Sequence, residues 1–463
     1  MRAEALARAA AHFDSGAFVR DLARRVAIKT ESQEAASHPN LRAYLADELL
    51  PSMQALGFTG TVHDNPHGPF PFLIATRREG DTLPTVLMYG HGDVIRGQDK
   101  SWTRGDGPWQ TRADGDKLYG RGTADNKGQH SINLAALAQV LAARGGRLGF
   151  NVTWLFETGE ETGSPGLAEF CTAHRAELAA DVLIASDGPR LKAAEPTVFL
   201  GSRGVANFEL ELTLRDGGHH SGNWGGLLAN PGTILAHAIA SMVDARGRIL
   251  VDALRPPPIP ANVRAALAGL DVGGGPGDPA IDPDWGEPDQ TPAERVFAWN
   301  TLDVLAYKTG NPEFPVNAIP PGAKATMHMR FVVGTDIGNL RRHVQQHLAA
   351  RGFGAITVSE PMVMAATRLD PDNAWVRFTL ASLERTAGRK PVLLPNLGGS
   401  LPNDVFADIL GLPTVWVPHS YPACSQHAPD EHLLLPVARE ALGLMTGLFW
   451  DLGESAATLP RRA

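Results

Sequence analysis

The sequence predicts an α/β protein: a mixed, largely parallel sheet with helices on both faces, interrupted by an inserted α+β sandwich. Three observations carry that reading. Between residues 72 and 187 short apolar runs alternate with helical stretches, the pattern of strands covered on both faces. Near residue 205 the texture becomes ANFELELTLR, alternating apolar and polar as in an antiparallel sheet with one solvated face. After residue 366 the first texture returns. One domain is therefore expected to be split into residues 1–205 and 367–463 around an insertion at 206–366. A chain of 463 residues is too long for one hydrophobic core, which agrees with that division.

The elements follow in order. Residues 1–57 read as helices, including LARRVAIKT and LRAYLADELLPSMQALG, the latter closed by Gly57 as a C-cap. The loop HDNPHGPFP carries His63 and His67; nothing acidic is expected to converge there, so both read as loop residues. FLIATR, TVLMYG, a helix at 129–144, FNVTWLFE, a helix at 165–178 and DVLIASD complete the first alternation. The insertion holds a helix near 231–243, the strands TLDVLAY and KATMHMRFVV, the helix IGNLRRHVQQHLAARG and the strand AITVSEPMV. Its segment from Pro256 to Pro292 is rich in proline, glycine and acids, and reads as a lid or a linker. A helix at 372–387, VLLP, the loop NLGGSLPND, TVWVPHS and a helix at 434–451 close the chain.

A net charge of −8 offers no basic stripe for nucleic acid. No run of about 18 apolar residues could span a bilayer. The first residues, MRAEALARAAAHF, read as an ordinary amphipathic helix rather than a signal peptide. Cys171 and Cys424 form neither a disulfide framework nor a zinc-finger pattern, and Cys424 reads as a packing residue. The expected address is cytoplasmic, with no membrane partner.

Chemistry collects at the strand ends, where open α/β sheets bind ligands. TVLMYG delivers His91, Gly92 and Asp93, and the period of two brings Asp93 toward His91, the arrangement that orients a metal-bound imidazole. A glycine-punctuated loop, residues 120–128, carries Asp125 into the next helix. Glu160 and Glu161 follow FNVTWLFE; read as neighbours at a strand end they point apart, so that one binds a cation while the other faces a water. Asp187 ends a third strand, and His427 lies in the C-terminal segment. Imidazoles and carboxylates without thiolates suit zinc, cobalt or manganese. His91, Asp125, Glu161, Asp187 and His427 suffice for two ions if one carboxylate bridges.

The motifs H-G-D, G-R-G-x-x-D-x-K-G, G-E-E-x-G-S, S-D-G, H-H-S-G, N-A-I-P, G-G-S-L-P and H-A-P-D-E run in that order from residue 91 to 431. Together the set resembles the carnosinase, glutamate carboxypeptidase and aminoacylase family of dinuclear zinc exopeptidases. The resemblance implies a zinc-exopeptidase-like catalytic domain and an inserted lid and dimerisation domain. It implies two divalent ions per chain, zinc first, with manganese and cobalt as alternatives. His91, Asp125 and Asp187 would hold one ion and His427, Asp125 and Glu161 the other, with Asp125 the bridge. Asp93 would orient His91, and Glu160 would be the general base for the bridging water. His220 would enter the partner's active site in a homodimer and stabilise the oxyanion. Arg330, Asn317, Gly399 and Ser400 would bind the substrate's carboxylate end.

The implied activity is metal-dependent hydrolysis of dipeptides or small peptides with a free C-terminal carboxylate, of dipeptidase or carboxypeptidase type. An N-acyl-amino-acid deacylase is the nearest alternative, since its substrate also sets an amide beside a carboxylate. A catalytically silent peptide-binding or scaffold protein is the remote one. It requires a missing ligand or base, and none is missing from the motif set.

Overall fold

The computed structural model describes residues 1–275 and 278–462. Its larger sheet has eight strands, in the order Thr59–His63, Phe72–Arg77, Asn151–Glu157, Thr85–His91, Val182–Ala185, Thr414–Trp416, Thr197–Phe199 and Val392–Leu394. The four central strands run parallel. Phe72–Arg77 and Thr59–His63 extend one edge antiparallel. Thr85–His91 stands where the winding reverses, with the next parallel strand on one side and a later one on the other. Ligand crevices open at the carboxyl ends of such strands.

Burial explains the apolar runs. All seven residues of Thr85–His91 are buried. Val86 and Met88 join one core with the helices Arg2–Asp14, Lys127–Ala143 and Leu435–Ser455. Leu87 and Tyr89 join a second core with the helix Leu167–Ala173. Each such side chain withdrawn from water contributes about 1.5–3 kcal/mol, so a strand buried on both faces cannot slip by one residue cheaply.

The second sheet has five strands. Thr301–Thr309, Gly322–Phe331 and Gly204–Thr213 lie side by side, and Thr357–Val358 and Met362–Met364 both pair with Gly204–Thr213. The helices Pro231–Met242 and Leu340–Ala350 cover one face through Leu235, Met242, Val344 and Leu348. The alternation in residues 204–213 is thus one buried face and one face turned outward.

The segment between Pro256 and Pro292 is more ordered than its composition implies. It contains the helix Ala261–Leu267, and the next helix, Pro292–Phe297, is started by a capping box between Thr291 and Glu294. Residues 276 and 277 of this segment lie outside the described residues. Among the described residues, no helix is long and apolar enough to cross a membrane.

Candidate active site

The four central strands and the glycine-rich loop deliver acids and imidazoles to one crevice. His91 is the last residue of its strand, Asp187 lies just beyond Val182–Ala185, and His427 follows Thr414–Trp416 by a longer loop. Glu160 and Glu161 differ from the sequence expectation. Their strand stops at Glu157, and Glu160–Thr162 is a 3₁₀ turn, so their separate directions come from a helical turn rather than strand alternation.

Asp125 is the shared centre. Its Oδ1 lies 2.9 Å from His91 Nε2, and its Oδ2 lies 3.1 Å from His427 Nε2. Asp187 Oδ2 is 3.7 Å from His91 Nε2, while Glu161 Oε2 is 2.9 Å from His427 Nε2. Two triads result, His91 with Asp125 and Asp187, and His427 with Asp125 and Glu161; donor atoms within each lie within 4.8 Å of one another. Asp93 supports both sides. Its Oδ1 is 3.3 Å from His91 Nδ1, and its carboxylate accepts the backbone N–H groups of Glu160 and Glu161.

The loop that carries Asp125 is fixed from a distance. Glu431 accepts the backbone N–H groups of Gly122, Ala124 and Asp125 on one oxygen and the Arg121 guanidinium on the other. Lys127 Nζ donates to the carbonyls of Arg25 and Ile28, tying the loop to the N-terminal helices. Gly128 permits a very close approach: a Cβ there would lie 1.9 Å from the Thr123 carbonyl oxygen.

Electrostatics mark the site as built for cations. Burial pushes Glu160 well above the ordinary carboxylate range; His91 pulls the other way, and Asp187, Glu161 and Asp125 add to the rise. Burial, reinforced by Asp125, pushes Glu161 up to about 7 and Asp187 up to about 6. Burial would raise Asp125 as well, yet hydrogen bonds from His427 and His91 hold it far below the usual range. The same bonds, from Asp125 and then Glu161, raise His427 to about 11. Carboxylates crowded against two imidazoles hold a surplus of negative charge, which divalent ions neutralise. Asp187 Oδ2 is buried with no hydrogen-bond partner among the described residues, a polar atom that a cation would satisfy. The donor set fits two such ions.

A cavity of about 290 Å³ opens on the cluster, lined by Asp125, Glu160, Asp187, His427, Gly399 and Ser400 among others. It shares Pro189, Leu397 and Gly399 with a neighbouring, more apolar cavity to which Val272, Ile281 and Phe297 contribute. The Pro256–Pro292 segment therefore builds a wall beside the site. Arg330 reaches the edge of this region, donating to Ser400 Oγ at 2.7 Å. His220 and Asn317 do not line the cavity of this chain. Both are exposed on the insertion, where His220 pairs with Ala318 and its Nδ1 accepts from Gly222 N.

His63 is not a loop residue but the last residue of the edge strand, and an acid does approach it: His174 and Glu177 lie beside it. Position along the sequence hides this, because the helix Leu167–Ala173 returns alongside the sheet edge. His67 stays in the loop. Cys424 is buried, and burial raises its thiol to about 12, in keeping with packing. Trp102 and Trp109 bond to Gly97 and Asp99, and neither lines the cavity. Sequence reasoning missed the bracing role of Glu431, although it sits within H-A-P-D-E. It also missed Gln426, which donates to Asp125 Oδ2, and His328, which accepts from Arg330 Nε.

The fold and the paired triads define the class of metal-dependent hydrolases. Residues 87–450 match Peptidase family M20/M25/M40, and the chain belongs to that family. It is 27% identical over 376 residues to a cysteinylglycine-S-conjugate dipeptidase of Corynebacterium striatum, covering 79% of this chain and 80% of that protein. It is 35% identical to the Beta-Ala-His dipeptidase of Mus musculus over 184 residues, 39% of this chain and 37% of the relative. Among solved structures, the dipeptidase Dug1p of Saccharomyces cerevisiae aligns with a TM-score of 0.77 at 21% identity, covering 97% of this chain and 99% of that one. The metallo-carboxypeptidase Sso-CP2 of Sulfolobus solfataricus aligns with a TM-score of 0.77 at 23% identity, covering 94% and 99%.

Proposed function

We propose that this chain hydrolyses dipeptides or small peptides with a free C-terminal carboxylate. The observation that carries the reading is Asp125, whose two oxygens face His91 on one side and His427 on the other. His91, Asp125 and Asp187 would hold one divalent ion, and Asp125, Glu161 and His427 the other. When bound, the ions polarise the scissile carbonyl and acidify water. Zinc is the ion we favour, with manganese and cobalt as alternatives.

Glu160 does the proton work. Its carboxylate takes a proton from the attacking water as oxygen bonds to the carbonyl carbon, then delivers it to the amide nitrogen as the C–N bond breaks. Water and amide are thereby converted to a carboxylic acid and an amine, which pass the remaining proton between them to stand as carboxylate and ammonium. A positioned base of this kind is worth roughly 10² to 10⁴ in rate. Gly399 and Ser400 offer backbone and hydroxyl donors to the substrate, and Arg330, beside Ser400, offers its carboxylate a charged fork. The apolar cavity between Ile281 and Leu397 takes the adjoining side chain.

Dipeptidases are prominent among the relatives by name, which favours peptide over N-acyl amino acid. Deacylation is the second reading, since the same groups meet any amide next to a carboxylate. We place the enzyme in the cytoplasm and as a homodimer through its insertion. Metal loading followed by elemental analysis, and a mass-spectrometric screen of dipeptides against N-acyl amino acids, test the proposal together. Glu160→Gln is expected to keep its metal and lose turnover by at least about a hundredfold. Full activity in that variant removes Glu160 from the mechanism.

A further inference from the structure

His63, His174 and Glu177 form a second cluster, at the outer edge of the large sheet. His63 ends the edge strand Thr59–His63, His174 caps the C-terminal end of the helix Leu167–Ala173, and Glu177 follows. The register His63 to Phe72, and Leu73 to Phe156, puts His63 at the same end of the sheet as the active site but at its edge. One ring nitrogen from each histidine and one Glu177 oxygen lie within 4.8 Å of one another. His174 Nδ1 and Glu177 Oε2 are 3.1 Å apart.

The rings are held by an aromatic wall. Phe170 stacks on Phe72 at 4.2 Å and contacts both imidazoles, with centroids 5.4 Å from His63 and 4.3 Å from His174. A His174 to Glu177 ion pair satisfies two of the three groups. It leaves His63 Nε2, which is shielded from water and has no hydrogen-bond partner among the described residues. A buried nitrogen left without its bond is costly, so the arrangement makes better sense if a third party uses the nitrogen.

We infer that His63, His174 and Glu177 bind a divalent zinc-type cation, separate from the catalytic pair, that fastens the helix Leu167–Ala173 to the sheet edge. Two imidazoles and one carboxylate are a three-ligand zinc set with a fourth position for water. The spacing must contract to close on an ion. His174 and Glu177 sit on the partly exposed segment after the helix and are free to do so, while the backbone of His63 is held in the strand Thr59–His63. The helix follows the turn bearing Glu160 and Glu161 after the short loop Gly163 to Gly166, so the ion would anchor the far side of that loop.

Equilibrium dialysis of the full-length holoenzyme against zinc chloride, with thermal unfolding, tests this. Wild type should hold one zinc more per chain than His174→Ala or Glu177→Gln, and zinc added to enzyme already loaded at the active site should raise Tm by a few degrees, on the order expected for an ion that binds only the folded state. Both variants should lose that rise and keep peptidase activity within about twofold. Equal zinc content in wild type and both variants, or a Tm rise that survives both substitutions, overturns the inference. Because the readout is a difference between chains with the same active site, it does not depend on how many ions the catalytic cluster holds.

Discussion

His419 shows how a single buried side chain ties this fold to pH. It is fully buried, its Nε2 meets Ser186 Oγ at 3.0 Å, and its backbone N–H donates to Gln129 Oε1. Burial, with Arg190 adding, lowers its pKa to about 3. Unfolded, the imidazole takes a proton near pH 6.5; folded, it does not until about pH 3. Between those values the unfolded chain binds more protons, so stability is complete above pH 6.5 and is lost as pH falls. The loss by pH 5 is about 2 kcal/mol from this group alone. His419→Asn is expected to flatten that part of the curve, read by urea unfolding at pH 5 and pH 7. A slope identical to wild type would assign the acid sensitivity elsewhere.

Elements act at a distance, and that governs what the sequence discloses. His91, Glu160, Glu161 and Asp187 were legible because short motifs place them at or just beyond the ends of apolar runs, and Asp125 because a glycine-punctuated loop carries it into a helix. The second sheet was legible from its alternation. The grip of Glu431 on the Gly120–Asp125 loop was not, since it joins segments about three hundred residues apart through backbone N–H groups that carry no side-chain signature. The neighbours of His63 were hidden for the same reason.

Two predictions test these long-range supports. Glu431→Gln leaves Arg121 buried without its counter-charge and weakens the three N–H bonds. Metal affinity should fall by roughly 10 to 100-fold, as for other groups that orient ligands, measured by competition with a chelator. Unchanged affinity would show that the loop holds itself. Gly128→Ala must push the Thr123 carbonyl away, and the expected destabilisation exceeds about 3 kcal/mol. A melting temperature equal to wild type would mean that the helix start shifts freely.

At the scale of the whole molecule, exposed apolar surface and His220 fall within the same stretch of chain. Apart from Met1, every large exposed apolar side chain among the described residues lies between Trp224 and Val363, including Leu305, Phe314, Val316 and Met362. Exposed apolar area concentrated on one lobe marks an association surface. His220 and Asn317 lie on that lobe and do not line their own chain's cavity. A two-fold dimer through the insertion would let each copy lend His220 to the other, because a symmetric interface makes the same exchange twice. Co-expression decides between the two arrangements. His220→Ala and Glu160→Gln homodimers should each be nearly inactive. In a mixed dimer the His220→Ala chain keeps its own Glu160 and receives His220 from its partner, so one site of the two is complete. Random mixing should then restore about a quarter of wild-type turnover, since half the dimers are mixed and each has one working site. If His220 served its own chain, neither chain of the mixed dimer would hold a complete site. Activity would stay at the level of the separate variants, and the shared site would be excluded.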